Sequence, residues 1–189
     1  PILPANLFIQ KAFDLPRYYA ITNLSESSKK LFLNQLQNRI DDGLKMIQVR
    51  EKDISLENLK MFSKEVVSIC KPQGVKVIIN SYVDLAYEIE ADGVHLTSKD
   101  LHNIKKRPQD LIVSASCHTQ EDFNIADEMN INFAVLSTVK KTLSHPNINC
   151  STREIYSKVK KYSKKIKLKS YKFNNKKKFI EYISSQKNE

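Results

Sequence analysis

The residues best suited to chemistry in this sequence are polar side chains that arrive where short apolar runs stop. Gln48-Val49-Arg50-Glu51-Lys52 is the densest such group. It ends a strand-like run, Leu44 to Val49, in which Leu44, Met46 and Gln48 share one face and Lys45, Ile47 and Val49 the other. In a parallel α/β fold this is the carboxyl end of a strand, the place where ligands bind. Arg50 offers a rigid planar fork of donors and Lys52 a compact positive charge, a pair suited to a phosphorylated ligand. A strand ending in charges also describes a solvated loop, so the motif gains meaning only from what the other strands carry.

The other strand ends carry Thr22 and Asn23; Asn80, Ser81 and Asp84; His95 and Asp100; Ser116 and His118; and Ser137. A single barrel mouth would gather two cations, amide and hydroxyl donors, a carboxylate and two imidazoles. The set contains no Ser-His-Asp spacing, no HExxH, no Walker glycine loop and no carboxylate pair of glycosidase type. Asp100 reads equally well as the cap of a helix before Leu101 and as a metal ligand. His118 reads equally well as a group that packs or caps the next helix and as one that does chemistry. His95 alternates with Val94 and Leu96, which favours a satisfied inward histidine over a catalyst.

The elements that must position these residues alternate between the two periods. Arg17–Asn23 reads as the first strand, and Ser25 as the cap of a helix with Phe32, Leu36 and Ile40 at spacing four and Gly43 as its stop. The second strand leads into QVREK. Ser55 opens a helix with Leu59, Phe62, Val66 and Ile69 that ends near Pro72. Strands follow at Val75–Asn80, Asp92–Leu96, Leu111–Ser116 and Asn132–Ser137, with helices at Val83–Glu90, Lys99–Arg107 and after Thr119, where Asp122 completes a capping box. Six strand-then-helix units argue for a parallel sheet, and strands without a polar face argue that it is covered on both sides. Periodicity alone does not distinguish a closed (β/α)8 barrel from an open sheet. Residues 1–16, with three prolines, read as a linker or docking segment.

Length is compatible with one domain. No apolar run approaches the roughly 18 residues of a membrane span, no segment resembles a signal peptide, and three scattered cysteines without a CxxC pair read as reduced thiols. The expected setting is cytoplasmic, with no membrane. The net charge of +10 is local: residues 1–152 hold 18 Lys/Arg and 18 Asp/Glu, while residues 153–189 hold 13 and 3. That basic end reads as a solvated face rather than a nucleic-acid surface, although Tyr162, Tyr171, Phe173 and Phe179 interleave with its lysines. One strand is expected within residues 166–173 and a helix over 176–184.

In series, QVREK, VIINS, DGVHLTSKD and SASCHT resemble the thiamine phosphate synthase family and its TenI-like relatives, whose pattern reads Q-L-R-E-K, I-I-N-D, A-D-G-V-H-L-x-x-x-D and S-x-H-T. Ala91–Leu96 matches letter for letter. The resemblance spans residues 17–146. It implies a TIM-type (β/α)8 barrel, here incomplete or divergent after the sixth strand, with a leader at 1–16, the barrel at 17–150 and a divergent basic segment at 151–189. It also implies a transferase of thiamine biosynthesis that joins hydroxymethylpyrimidine diphosphate to a thiazole phosphate with Mg²⁺ and releases diphosphate.

In that pattern Arg50 and Lys52 grip the diphosphate and Gln48 lies beside the pyrimidine. Asn80 touches the diphosphate or the pyrimidine, Ser116 the pyrimidine side, and Asp100 carries the metal. Ser81 stands where the family has its first magnesium carboxylate. Thr142, Ser144 and His145 take the place of a T-x-T-K motif, so a permanent charge becomes an imidazole. No glycine follows Gly93, so the family's glycine phosphate loop is missing. A TenI-like isomerase, with His118 as acid–base group and no metal, is the alternative, as is a non-catalytic regulatory barrel. PILPAN followed by Leu-Pro resembles the join to an N-terminal Nudix hydrolase, which would make that domain a partner and would account for Pro1 in place of Met.

Overall fold

The computed structural model describes residues 7–10, 15–16, 18–26, 28–136 and 167–170. Its strands are β1 (Leu7–Gln10), β2 (Ala20–Ile21), β3 (Met46–Val49), β4 (Lys76–Asn80), β5 (Gly93–Leu96), β6 (Ile112–Cys117), β7 (Phe133–Leu136) and β8 (Lys167–Ser170). The helices are α1 (Lys29–Asp41), α2 (Leu56–Cys70), α3 (Val83–Glu88), α4 (Ser98–Asn103) and α5 (Gln120–Glu128). One sheet runs in the order β2-β3-β4-β5-β6-β7-β1-β8, parallel from β2 to β7.

The parallel run is curled. Tyr19, just before β2, meets Phe133 of β7 edge to face with ring centroids 5.7 Å apart. Five strand spacings lie between them, which would separate them by about 24 Å in a flat sheet. Leu15, Tyr19, Met46, Ile78, Phe133 and Val135 form a compact cluster on the concave face. The convex face carries Ile47, Val49, Val77, Ile79, Val94, Leu96, Val113 and Ala115, packed under the helices. The α/β half-barrel expected from the sequence is thus present, with six parallel strands.

Beyond β7 the parallel run stops. The next place is taken by β1, antiparallel to β7, and β8 pairs antiparallel with β1. Among the described residues no pairing joins β8 back to β2, so the sheet does not close into a ring. Leu7–Gln10 lies inside the segment read as a linker or docking segment, and its pairing with β7 corrects the linker alternative. Four residues flanked by prolines carry too little alternation to register as a strand, and pairing on both sides supplies what local sequence does not. β8 falls within the strand expected at 166–173; the helix expected at 176–184 lies outside the described residues.

Local signals mostly match. Ser55 caps α2 by accepting the Asn58 N–H at 3.2 Å, and Thr119 caps α5 in a reciprocal box with Asp122. At α1 the cap is Ser28, which accepts the Leu31 N–H at 3.3 Å, rather than Ser25. The Ser25 hydroxyl instead bonds Asn23 Oδ1 at 2.6 Å within a short 3-10 turn, a local bond of the kind that competes with helix entry. α4 ends at Asn103, four residues short of Arg107. The Arg107 guanidinium donates to Pro108 O, Leu111 O and Asn132 Oδ1, and so holds the chain in a non-helical return.

Gly93 starts β5 where no side chain fits: a Cβ there would lie 2.2 Å from Ile112 O and 2.8 Å from both Ile112 Cβ and Ile78 Cδ1. Gly93→Ala should therefore cost about 1–3 kcal/mol or more by overpacking. Urea unfolding should show the midpoint falling; an unchanged midpoint would mean that β5 and β6 can separate freely.

Candidate active site at the mouth of the half-barrel

Strand alternation sends Gln48, Asn80, His95, Ser114 and Ser116 to the concave face, above the cluster of Met46, Ile78 and Phe133. Parallel pairing keeps them level, with Asn80 opposite His95 and His95 opposite Ser114. Gln48 is buried, and its Nε2 donates to Asn80 Oδ1 at 2.8 Å. Asn80 Nδ2 donates to Ser81 Oγ at 2.9 Å, and the Ser81 hydroxyl favours the charged form of Asp100. A directed chain of bonds therefore crosses from β3 to β4 and ends on the residue just after it.

Ser81 holds this place at a conformational cost. Its φ is +67°, a left-handed geometry uncommon outside glycine, and its N–H donates to His95 O at 2.9 Å. Asp100 has two attachments. It is the third residue of α4 in a capping box with Thr97, whose N–H and hydroxyl both donate to Asp100 Oδ2, at 3.0 and 2.6 Å. The reading of Asp100 as the cap of this helix is corrected: the cap is Thr97, and Asp100 completes the box from the third helical position, because only there can its carboxylate reach back to the Thr97 N–H. Burial works to raise its pKa, but the bonds from Thr97 and Ser81 and the charge of Lys99 outweigh it and hold the carboxyl below its usual value.

His95 lies at the centre, with Nδ1 2.9 Å from Ser114 Oγ and Nε2 2.8 Å from Ser116 Oγ. Either tautomer is satisfied, because a serine hydroxyl can donate or accept. Burial, then repulsion from the Arg50 guanidinium, hold the imidazole at about 4 against the opposing attraction of Asp100, so it is neutral at pH 7. The inward, satisfied histidine read from the sequence is found.

Arg50 is exposed, and its backbone N–H is pinned to the buried Thr22 Oγ1 at 3.0 Å. Glu51 Oε2 accepts the Leu24 N–H at 2.9 Å, tying the same loop to the one after β2. Lys52 is exposed in that loop. His118 is partly buried at the start of the loop into α5, its N–H donating to Asp122 Oδ2 at 2.7 Å. Thr142, Ser144 and His145 lie outside the described residues. The sequence reading missed Thr22 and Glu51 as anchors of the cation loop, and Ser114 as the second partner of His95. The QVREK spacing hinted at Glu51, but nothing local marked Ser114.

Among the described residues no three His, Cys, Asp or Glu side chains are grouped to hold a metal ion. Asp100 offers one carboxylate and Ser81 a neutral hydroxyl. Such a donor set fits Mg²⁺ that takes its remaining ligands from phosphate oxygens and water, as this ion commonly does.

The folded chain protonates His95 only near pH 4 and the unfolded chain near 6.5, so the unfolded state binds more protons in between. Stability should fall as pH drops through that interval, by about 3 kcal/mol over its full width. Urea unfolding at pH 7, 5.5 and 4.5 measures it, and the wild-type slope should lose this component in His95→Gln. Parallel slopes would show that His95 is not the group responsible.

The comparisons with known proteins agree with this geometry. A family model described as "Thiamine monophosphate synthase" matches residues 18–169. A chain from Aquifex aeolicus, provisionally named thiamine-phosphate synthase 2, is 36% identical over 135 residues, covering 70% of this chain and 72% of that one. A thiamine-phosphate synthase of Campylobacter jejuni is 36% identical over 83 residues, covering 44% of this chain and 40% of that one. Among solved structures, the thiamine phosphate pyrophosphorylase of Pyrococcus furiosus superposes with a TM-score of 0.53 at 19% identity, over 66% of this chain and 61% of that one, a likeness of fold. A match over most of the length, carried by motifs that converge on one mouth, leaves one assignment: the chain belongs to the thiamine monophosphate synthase family.

Proposed function

We propose that this mouth joins hydroxymethylpyrimidine diphosphate to a thiazole phosphate and releases diphosphate, making the chain a transferase of thiamine biosynthesis. The observation that supports the reading is the bond chain Gln48–Asn80–Ser81 on the concave face, with the exposed Arg50 two residues after Gln48. In this proposal the neutral amides hold the ring and the cations meet the charge that develops on the leaving group. In the reaction the carbon–oxygen bond between the pyrimidine methylene and the diphosphate breaks, and the electron pair leaves with the diphosphate. The thiazole nitrogen then bonds to the methylene cation, so no proton is lost and atoms balance. Arg50 and Lys52 stabilise the departing charge, which is electrostatic stabilisation of the transition state. Ser116 contacts the pyrimidine, and the neutral His95 beneath it adds no like charge next to the cation. Thr142, Ser144 and His145 complete the phosphate contacts in the same proposal.

Mg²⁺, where bound, would supply further neutralisation of the diphosphate, with Asp100 as its protein carboxylate. A cytoplasmic setting and a Nudix hydrolase ahead of residue 1 belong to the same proposal, the second supported by the wording of residues 1–16. Among the described residues no helix is long and apolar enough to cross a membrane.

One observation favours a second reading. Ser81 contributes a hydroxyl in place of a second carboxylate, as a TenI-like isomerase with His118 as its acid–base group would allow. Release of diphosphate from hydroxymethylpyrimidine diphosphate and thiazole phosphate, measured with and without Mg²⁺, separates them, since only the synthase gives a signal. Diphosphate binding without any release would point instead to a regulatory barrel.

Arg50→Ala should weaken inorganic diphosphate binding by about 30-fold or more, about 2 kcal/mol. Stability should change by less than about 0.5 kcal/mol, because the side chain lies beyond the core. A variant that melts much lower yet binds normally would make Arg50 structural. Ser81→Asp restores a second carboxylate beside Asp100. It should lower the Mg²⁺ concentration needed for half-maximal diphosphate binding; an unchanged requirement would remove Ser81 from the metal's surroundings.

A further inference from the structure

The carboxylate of Asp122 is 1% exposed and receives four donors. Its Oδ2 accepts the backbone N–H groups of Thr119, at 2.9 Å, and His118, at 2.7 Å. Its Oδ1 accepts the Ser98 hydroxyl at 2.9 Å and His102 Nε2 at 2.7 Å. The bond from Thr119, with the Asp122 N–H returned to Thr119 Oγ1, completes the capping box of α5. The other three donors have no part in a capping box. Ser98 and His102 belong to α4, one on each side of Asp100 in the sequence. The His118 N–H belongs to the loop that descends from Ser116.

A box at an exposed helix start returns roughly 1 kcal/mol, whereas a carboxylate taken out of water costs more unless it is fully bonded. Here burial works against the charge, yet the four donors outweigh it and hold the carboxyl at about 2. What this arrangement achieves beyond a cap is a fixed distance. The two oxygens are rigidly related, and each is bonded to a different element.

We infer that Asp122 is a positioning residue that locks the β6–α5 loop, with His118 and just after Ser116 at the end of β6, onto α4, with Asp100, and so sets the spacing between the two sides of the mouth. The inference takes from the proposed function only that these two sides address one ligand. Arg50 and Lys52 sit in the loop after β3 and are not held by this bracket.

Ser98→Ala/His102→Ala tests this in the whole chain, since it removes both donors from α4 and leaves the α5 capping box intact. Asp122→Asn is the companion variant. Two probes are titrated by calorimetry without Mg²⁺, so that Asp100 has no metal to carry: inorganic diphosphate, which then needs only the cation side, and thiamine phosphate, which reaches across the mouth. The double variant should bind thiamine phosphate about tenfold or more weakly, since displacements near 1 Å are worth that much or more, while its diphosphate affinity stays within about twofold of wild type. Amide hydrogen exchange should speed up at Leu101–Asn103 and at His118 and Thr119, and remain unchanged in β3. A double variant that keeps its thiamine phosphate affinity, or loses both ligands equally, overturns the inference and returns Asp122 to the role of a helix cap. A wild-type chain that binds neither probe overturns the proposed function instead. The exchange pattern then decides the positioning role alone, because an uncoupled α4 and β6–α5 loop would show no linked change.

Discussion

Everything at the mouth depends on how tightly the sheet curls, and one contact spans that curl. Tyr19 and Phe133 come from opposite ends of the parallel run, yet their rings meet edge to face. With Met46, Ile78 and Val135 they fill the concave face with apolar volume. The polar layer lies directly above this floor, since Gln48, Asn80 and Ser114 follow Met46, Ile78 and Ile112 by two residues on the same strands. The close fit of Gly93 against Ile112 O and Ile78 Cδ1 belongs to the same constraint, since a side chain there would push β5 away from β6.

On that floor the electrostatics are arranged by burial and by bond direction. His95 carries no charge because it is buried and because Arg50 repels a second cation. Asp100 is held charged by its bonds from Thr97. The mouth thus has Arg50 and Lys52 exposed at its edge and buried or half-buried amides and hydroxyls deeper. Ser81 accepts a left-handed backbone to reach this place. Strain of that kind at a polar site is consistent with use of the site, since the surrounding bonds must over-determine it.

The same anchoring logic recurs in the loops. Thr22 and Glu51 hold the cation-bearing loop to the strand before it, and Asp122 holds the loop after β6 to α4. None of the three needs to touch a ligand. Thr22 and Glu51 each fix a backbone N–H of the other's segment, whereas Asp122 fixes the His118 N–H of its own loop and reaches α4 through the side chains of Ser98 and His102.

Much of this was legible along the chain. Two-residue alternation separated Gln48, Asn80 and His95 from Ile47, Ile79 and Val94, and helical spacing identified the buried face of α2. The capping box at Thr119 and the order of polar strand ends were also readable, because each depends on residues within a few positions. What the sequence left open has a common cause in long-range contact. Leu7–Gln10 becomes a strand only because β7 and β8 flank it. The curl, the sharing of Asp122 between two helices, and the bond from Gln48 to Asn80 join residues tens of positions apart. Residue types and spacing determined which side chains could act; only the packing of the curled sheet decided which of them meet.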